Sequence, residues 1–285
     1  SEYDLDPSTV RDRLDRARGD VFAARSSRPR PPRDEKVLAG WNGLAISALA
    51  EGALILDEEY ATVAADALEF CRQHLWNDDE QSLRRRYKDG ETKVDGYLED
   101  YAFLGRGAFD LYQATGNVDH LAFALDLARA IETKFWDDEE GTLYFTPADG
   151  ESLIARPNET TDQSTPASTG VAAAVLLSLS PFVPHDRFET VGERVLETHS
   201  GEIRANPLQH ASLVLAADAH TAGHLELTLA ADEMPDEWRE TLAAEYLSPH
   251  ILAPRPAGDE RLADWLETLG LEEAPPIWRD REARE

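Results

Sequence analysis

The chain has 285 residues, 42% of them hydrophobic, and its 56 Asp and Glu outnumber 28 Lys and Arg to give a formal charge of −28. There is apolar material for a substantial core, in one large domain or two smaller ones. So acidic a surface excludes nucleic acid and anionic membranes as partners.

In chain order, Asp6-Pro7-Ser8 opens a helix whose face is marked by Val10, Leu14, Ala17, Val21 and Phe22. Residues 26–33, rich in Pro, Ser and Arg, form an extended connector. Residues 41–57 are apolar nearly all round and read as a buried helix. Residues 58–76 carry a single stripe of Tyr60, Val63, Ala67, Leu68, Cys71 and Leu75 and read as an outer helix. Two strand-like runs, Leu83 to Tyr87 and Glu91 to Val94, flank Asp89-Gly90, a hairpin turn signal. The same order then returns: an inner helix over 101–115, an outer helix over 118–136, and a strand at Leu143-Tyr144-Phe145 that leads to Asp149-Gly150. A third pair covers 169–180 and 187–199, and Pro207 to Thr221 starts a fourth. Leu225 to Ala230, Pro235 to Tyr246 and His250 to Ala253 read as a compact βαβ unit. Ala263 to Leu269 reads as a short helix, and Pro275 to Glu285 as irregular.

The chain repeats itself after sixty residues. Leu75-Trp76-Asn77-Asp78-Asp79-Glu80 returns as Phe135-Trp136-Asp137-Asp138-Glu139-Glu140, Leu83 as Leu143, and Asp89-Gly90-Glu91 as Asp149-Gly150-Glu151. A period of this size marks a supersecondary unit, here an inner helix, an outer helix and a return loop. One such hairpin cannot bury its own apolar face, so the units stack. The expected fold is mainly α: an α/α toroid, or partial six-hairpin barrel, of repeated helical hairpins with short β-hairpin loops and a C-terminal βαβ element. Its expected parts are 1–33 (helix and connector), 34–224 (helical hairpins) and 225–285 (βαβ element and tail).

In such a ring the inner helices point the same way and their N-termini share one mouth, where free N–H groups favour anions and developing negative charge. The residues gathered there are Asp34, Lys36, Trp41 and Asn42; Glu99, Asp100 and Tyr101; Asp162; and His210. Aromatic faces, carboxylates and amides together suit a sugar. Glu99, Asp100 and Asp162 supply acid and base for hydrolysis, Trp41 and Tyr101 the stacking surface, and Asp34, Lys36, Asn42 and His210 polar contacts, with His210 the candidate base if the reaction is an epimerisation. The same residue types also serve as helix caps and ion pairs. Arg84, Arg85 and Arg86 could grip an anion, although alternating arginines on a strand more often face solvent. The one cysteine, Cys71, permits neither an intrachain disulfide nor a cysteine cluster, and no metal-ligand spacing stands out among eight His. No cofactor and no metal is expected. No signal peptide or membrane span stands out, so the expected location is cytoplasmic. The scarcity of Lys beside the excess acid resembles proteins of salt-in halophiles, in which molar salt cuts the Debye length to about 3 Å.

Asp34 to Ile46 resembles the D-x-K-x-L-x-x-W-N-G-L motif of thioredoxin-domain-containing proteins related to spermatogenesis-associated protein 20, and Gly96-Tyr97-Leu98-Glu99-Asp100-Tyr101-Ala102 matches their G-x-L-E-D-Y-A. Their third motif, roughly D-x-x-x-P-S-G-N-S, is met at Asp162 and Pro166 but replaced at Ala167, Ser168, Thr169 and Gly170. The resemblance implies a toroid similar to six-hairpin glycosidases and N-acylglucosamine 2-epimerases. It also implies that the chain is the C-terminal part of such a protein, four hairpins of six, with a thioredoxin-like domain or the rest of the barrel as partner. Two functions are left open. One is a glycoside hydrolase or sugar isomerase with a small sugar ligand; the other is a noncatalytic scaffold or interaction module.

Overall fold

The computed structural model describes residues 6–150, 155–183, 185–223, 225–230, 236–245, 250–255 and 277–280. It divides into two compact units, residues 1–35 and 36–285. The first holds α1 (Pro7–Ser26), capped by the Asp6 carboxylate, which accepts the N–H groups of Ser8 and Thr9. α1 buries no residue: the stripe of Val10, Leu14, Val21 and Phe22 faces solvent.

The second unit opens with a short strand, β1 (Val37–Leu38), and is a row of helical hairpins. Its inner helices are α2 (Ala39–Ile55), α4 (Leu98–Thr115), α6 (Ser168–Leu179) and α9 (Ala211–Ala222). Each packs on the next, α2 on α4, α4 on α6 and α6 on α9. The outer helices α3 (Glu59–Leu75), α5 (Val118–Phe135) and α7 (Phe188–Thr198) each lie on the inner helix before them in sequence. Composition explains the division. α6 buries ten of its 12 residues, small and apolar on every side, whereas α3 buries only Ala64, Leu68, Cys71 and Leu75 along one line. That line is narrower than the stripe expected from sequence, because Tyr60 and Val63 are exposed. Burying one such leucine contributes about 1.5–3 kcal/mol.

Glycine lets the inner helices approach. A Cβ on Gly43 would run into the backbone of Phe103 and Leu104, and one on Gly107 would lie 2.6 Å from the Gly43 carbonyl. α2 and α4 therefore cross almost backbone to backbone.

The sixty-residue repeat is reproduced down to single hydrogen bonds. β2 (Trp76–Asn77) pairs antiparallel with β3 (Ser82–Lys88), aligning Trp76 with Leu83 and Asn77 with Ser82; β5 (Trp136–Asp137) pairs with β6 (Thr142–Leu143), aligning Trp136 with Leu143 and Asp137 with Thr142. Asn77 Oδ1 accepts the N–H groups of Asp79 and Glu80, and Asp137 Oδ1 those of Glu139 and Glu140. Each indole N–H meets the aspartate two residues on, at 2.8 Å for Trp76 and 2.9 Å for Trp136. The left-handed position before the second strand is Gln81 in one copy and Gly141 in the other.

The copies then diverge. β3 continues into a hairpin with β4 (Glu91–Asp95) across Asp89 and Gly90, both at positive φ, as the turn signal required. β6 ends at Leu143, short of the expected Phe145. Tyr144 N–H donates to Phe135 and Phe145 N–H to Pro157, and among the described residues of this loop no further ladder follows β6. Two further details differ from the sequence reading. A short helix, α8 (Ser200–Ala205), follows α7, and α9 starts at Ala211 after a 3₁₀ turn at Pro207–Gln209, later than Pro207.

At the C-terminal end, β7 (Leu225–Ala230) and β8 (His250–Arg255) pair in parallel with α10 (Asp236–Ala244) between them, the βαβ unit read from sequence. β9 (Ile277–Asp280) pairs antiparallel with β7, in a segment expected to be irregular. Ile251 and Ala253 join the main core, and Leu252 N–H donates to Gln113 on α4 at 2.9 Å. The helix expected over Ala263 to Leu269 lies outside the described residues.

Candidate functional site at the leading ends of the inner helices

Asp100 stands in the first turn of α4 and is 1% exposed. Its Oδ1 accepts the N–H of Gly40 on α2 at 3.0 Å, and its Oδ2 accepts the N–H of Tyr97 at 3.0 Å and Arg85 Nη1 at 2.8 Å. One carboxylate thus joins the starts of two inner helices to the hairpin. Burial pushes its pKa up to about 6, against the opposing pull of Arg85 and the two N–H donors. Arg85 also donates to Glu99 at 2.5 Å, and its guanidinium lies 5.1 Å over the Tyr97 ring, which stacks on Phe145 at 4.8 Å.

Asp162 repeats this geometry one pair along. Its Oδ1 accepts the N–H of Ala167 at the start of α6 at 2.8 Å, and its Oδ2 accepts the N–H of Ser212 on α9 at 3.0 Å. Burial works to raise its pKa, but the N–H donors of Ser212 and Ala167 prevail and hold it below the usual carboxylate value. Asp100 and Asp162 are equivalent staples between neighbouring inner helices.

The remaining sequence candidates fall into distinct places. Trp41, in the first turn of α2, is 63% exposed and directly follows the glycine bonded to Asp100. Asn42 donates to the Leu38 carbonyl at 2.8 Å and completes the start of its own helix. Tyr101 is 2% exposed, so it offers no stacking surface, contrary to the sequence expectation. Its hydroxyl accepts the Leu83 N–H at 2.7 Å, its ring packs between Trp76 and Phe135, and burial pushes its phenol up to about 12. His210 is buried beside Asp162 on the α9 side, its Nδ1 donating to the Thr160 carbonyl at 2.7 Å. Asp34 belongs to the first compact unit, and Lys36 opens the second.

The structure therefore brings Glu99 and Asp100 together with Trp41's helix, and sets Asp162 with His210 at the α6–α9 junction. Arg85, expected to be solvated, is instead the residue that joins the Glu99 and Asp100 carboxylates. A signal existed: alternation along β3 puts Arg85 on the same side as buried Leu83, whereas Arg84 pairs with Asp95 in solvent. Glu159, which accepts the Ser168 hydroxyl at 2.9 Å, was also missed. Among the described residues, no group of three His, Cys, Asp or Glu is placed to hold a metal, and no helix is long and apolar enough to cross a membrane.

No family model matches the chain. It is 29% identical over 242 residues to human spermatogenesis-associated protein 20, covering 81% of this chain and 31% of that protein. It is 25% identical over 261 residues to an uncharacterized Caenorhabditis elegans protein, covering 87% of this chain and 35% of that one. The chain thus spans about a third of the length of the curated relatives it matches. Among solved structures, a GH76 α-mannanase of Bacteroides thetaiotaomicron superposes with a TM-score of 0.52 at 12% identity, over 85% of this chain and 70% of that one. The chain is thus similar in sequence to spermatogenesis-associated protein 20, and its fold is a mainly helical α/α toroid.

Proposed function

We propose that the leading ends of α2 and α4 form a carbohydrate-binding site in which sugar chemistry is the supported activity. One observation carries this reading: a single guanidinium, Arg85, holds Glu99 and Asp100 together at the end of α4 that is tied through Gly40 to the helix bearing exposed Trp41. An open indole takes the apolar face of a pyranose, and Glu99 accepts hydroxyl protons. Asp100, buried with both oxygens taken, positions Glu99 through their shared Arg85, and Glu99 is the carboxylate left to meet a sugar as acid or base. The toroid fold adds analogy only.

A second reading is favoured by the saturation of the carboxylates. Both oxygens of Asp100 and of Asp162 are taken by backbone N–H groups, which is how a carboxylate builds structure. On that reading the chain is a scaffold or interaction module of a longer protein, with a thioredoxin-like domain or further helical hairpins as its neighbour.

A panel of neutral mono- and disaccharides, screened by thermal shift and by NMR for turnover, separates the two. If the mouth binds sugar, at least one member of the panel raises Tm, since a ligand at about 100 times its Kd stabilises by about 2.7 kcal/mol. Trp41→Ala should then abolish that rise while leaving the unliganded Tm in place. A panel with no effect on the wild-type chain contradicts the sugar site.

A further inference from the structure

The second return loop holds a buried Thr142–His199 pair, backed by the exposed carboxylate of Glu202, that its hairpin does not need in order to form. Thr142 Oγ1 in β6 lies 2.7 Å from Nε2 of His199, the residue between α7 and α8, and His199 Nδ1 lies 3.2 Å from Glu202 Oε2. The Glu202 carboxylate accepts, so Nδ1 carries a proton toward it. That leaves Nε2 of the neutral ring to accept the Thr142 hydroxyl proton. Hydroxyl, imidazole and carboxylate stand in the order of nucleophile, base and orienting group. The carbonyl just before the nucleophile, that of Gly141, accepts the Thr198 hydroxyl at 2.8 Å and is polarised by it.

The first copy of the repeat supplies an internal comparison. Ser82 occupies the register position of Thr142, and its hydroxyl meets only the Glu80 carboxylate, at 3.3 Å. The hairpin therefore forms without an imidazole. Thr142 is 3% exposed, so a bulky external substrate does not reach its hydroxyl, and only molecules as small as water or hydroxylamine can. The acyl group beside that hydroxyl is its own peptide carbonyl. Gly141 stands at φ +65°, and a Cβ there would come within 2.8 Å of Arg194 Nε and 3.0 Å of Thr198 Oγ1, so the carbonyl carries no side chain to shield it.

We propose that the Gly141–Thr142 peptide bond is a self-cleavage site. Thr142 Oγ1 passes its proton to His199 Nε2 and attacks the Gly141 carbonyl carbon. Negative charge builds on the carbonyl oxygen and is met by the Thr198 hydroxyl. The C–N bond breaks as His199 returns the proton to the Thr142 nitrogen, leaving an ester between Gly141 and Thr142 Oγ1. Water hydrolyses that ester, so one water is consumed, and the products are a Gly141 carboxylate and a chain beginning at Thr142 with a free amine and hydroxyl. Thr142 and His199 are the catalytic pair; Glu202 is a positioning residue that fixes the tautomer of His199.

The test is the intact mass of the purified full chain after incubation in mildly alkaline buffer, with and without hydroxylamine, which captures esters. The expected result is conversion of the chain to fragments 1–141 and 142–285, several-fold faster with hydroxylamine, which leaves a hydroxamate on Gly141. Thr142→Ser should retain cleavage, Thr142→Ala and His199→Gln should lose it, and Glu202→Gln should slow it several-fold. Circular dichroism shows whether the variants are folded, and Thr142→Val, which exchanges the hydroxyl for a methyl and should also lose cleavage, decides the question if Thr142→Ala or His199→Gln does not fold. A wild-type chain that keeps one mass under both conditions overturns the proposal and leaves the trio a packing contact. Cleavage that persists in Thr142→Ala, or that occurs equally at Gln81–Ser82, overturns it as well.

Discussion

At the scale of single residues, two aspartates with the same task titrate in opposite senses. Asp100 is raised to about 6 by burial, whereas Asp162 is lowered by the N–H groups it accepts. A carboxyl raised in the folded state stabilises below its unfolded pKa, near 4, and that contribution is lost as pH rises through the folded value. Wild-type stability should therefore fall relative to Asp100→Asn between about pH 4 and pH 6, by on the order of 2–3 kcal/mol. Asp162 has the reverse sign: its contribution is present above the unfolded pKa and lost on acidification, so Asp162→Asn should remove part of the acid sensitivity below about pH 4. Urea denaturation at a series of pH values checks both, and parallel curves for the two variants would refute the assignment. The roles themselves were not legible in the sequence. Asp at a helix start is the residue type that capping and acid–base chemistry share, and only the partners Gly40 and Ser212 decide between them. Tyr101 was misread for a related reason: α4 is buried on nearly every side, so no periodicity says which aromatic faces a cavity and which faces the core.

At the scale of elements, hairpin packing rests on close backbone approach. Gly43→Ala should destabilise by about 1–3 kcal/mol, because the Phe103 and Leu104 backbone cannot yield. Gly19→Ala is the matched control on α1: nothing lies within 4 Å of a Cβ there, and the substitution should stabilise that helix by about 0.5–1 kcal/mol. Helicity by circular dichroism and denaturation midpoints measure both, and equal effects would contradict close packing at Gly43. Much at this level could be read in advance. The sixty-residue repeat predicted two matching units of inner helix, outer helix and return loop; the pairing of Trp76 with Leu83 and of Trp136 with Leu143 in the same register was not read from it. Asp89-Gly90 predicted its turn because both residues must adopt positive φ. Asp149-Gly150 carried the same signal, but Gly150 N–H closes a turn on Pro147 and Phe145 N–H is taken by Pro157. β9 escaped notice because its partner β7 lies some fifty residues away, and long-range pairing leaves little mark on a four-residue segment.

At the scale of the whole molecule, a formal charge of −28 sets the electrostatics of the surface. Self-repulsion of that size is screened as the Debye length falls from about 30 Å at 0.01 M salt to about 3 Å at 1 M. The Tm should rise across that range of KCl, and a flat or falling curve would show that exposed ion pairs such as Arg187 with Asp138 matter more than net charge. The mouth itself, where Arg85 gathers Glu99 and Asp100 beside the helix of exposed Trp41, is the centre of the functional reading. It is tested most directly by titration calorimetry of the best sugar from the panel against the wild-type chain, Trp41→Ala and Glu99→Gln. A saturable heat is expected for the wild type, lost in Trp41→Ala and weakened at least several-fold in Glu99→Gln. Equal affinities in all three, or no heat in the wild type, would contradict a sugar site at this mouth.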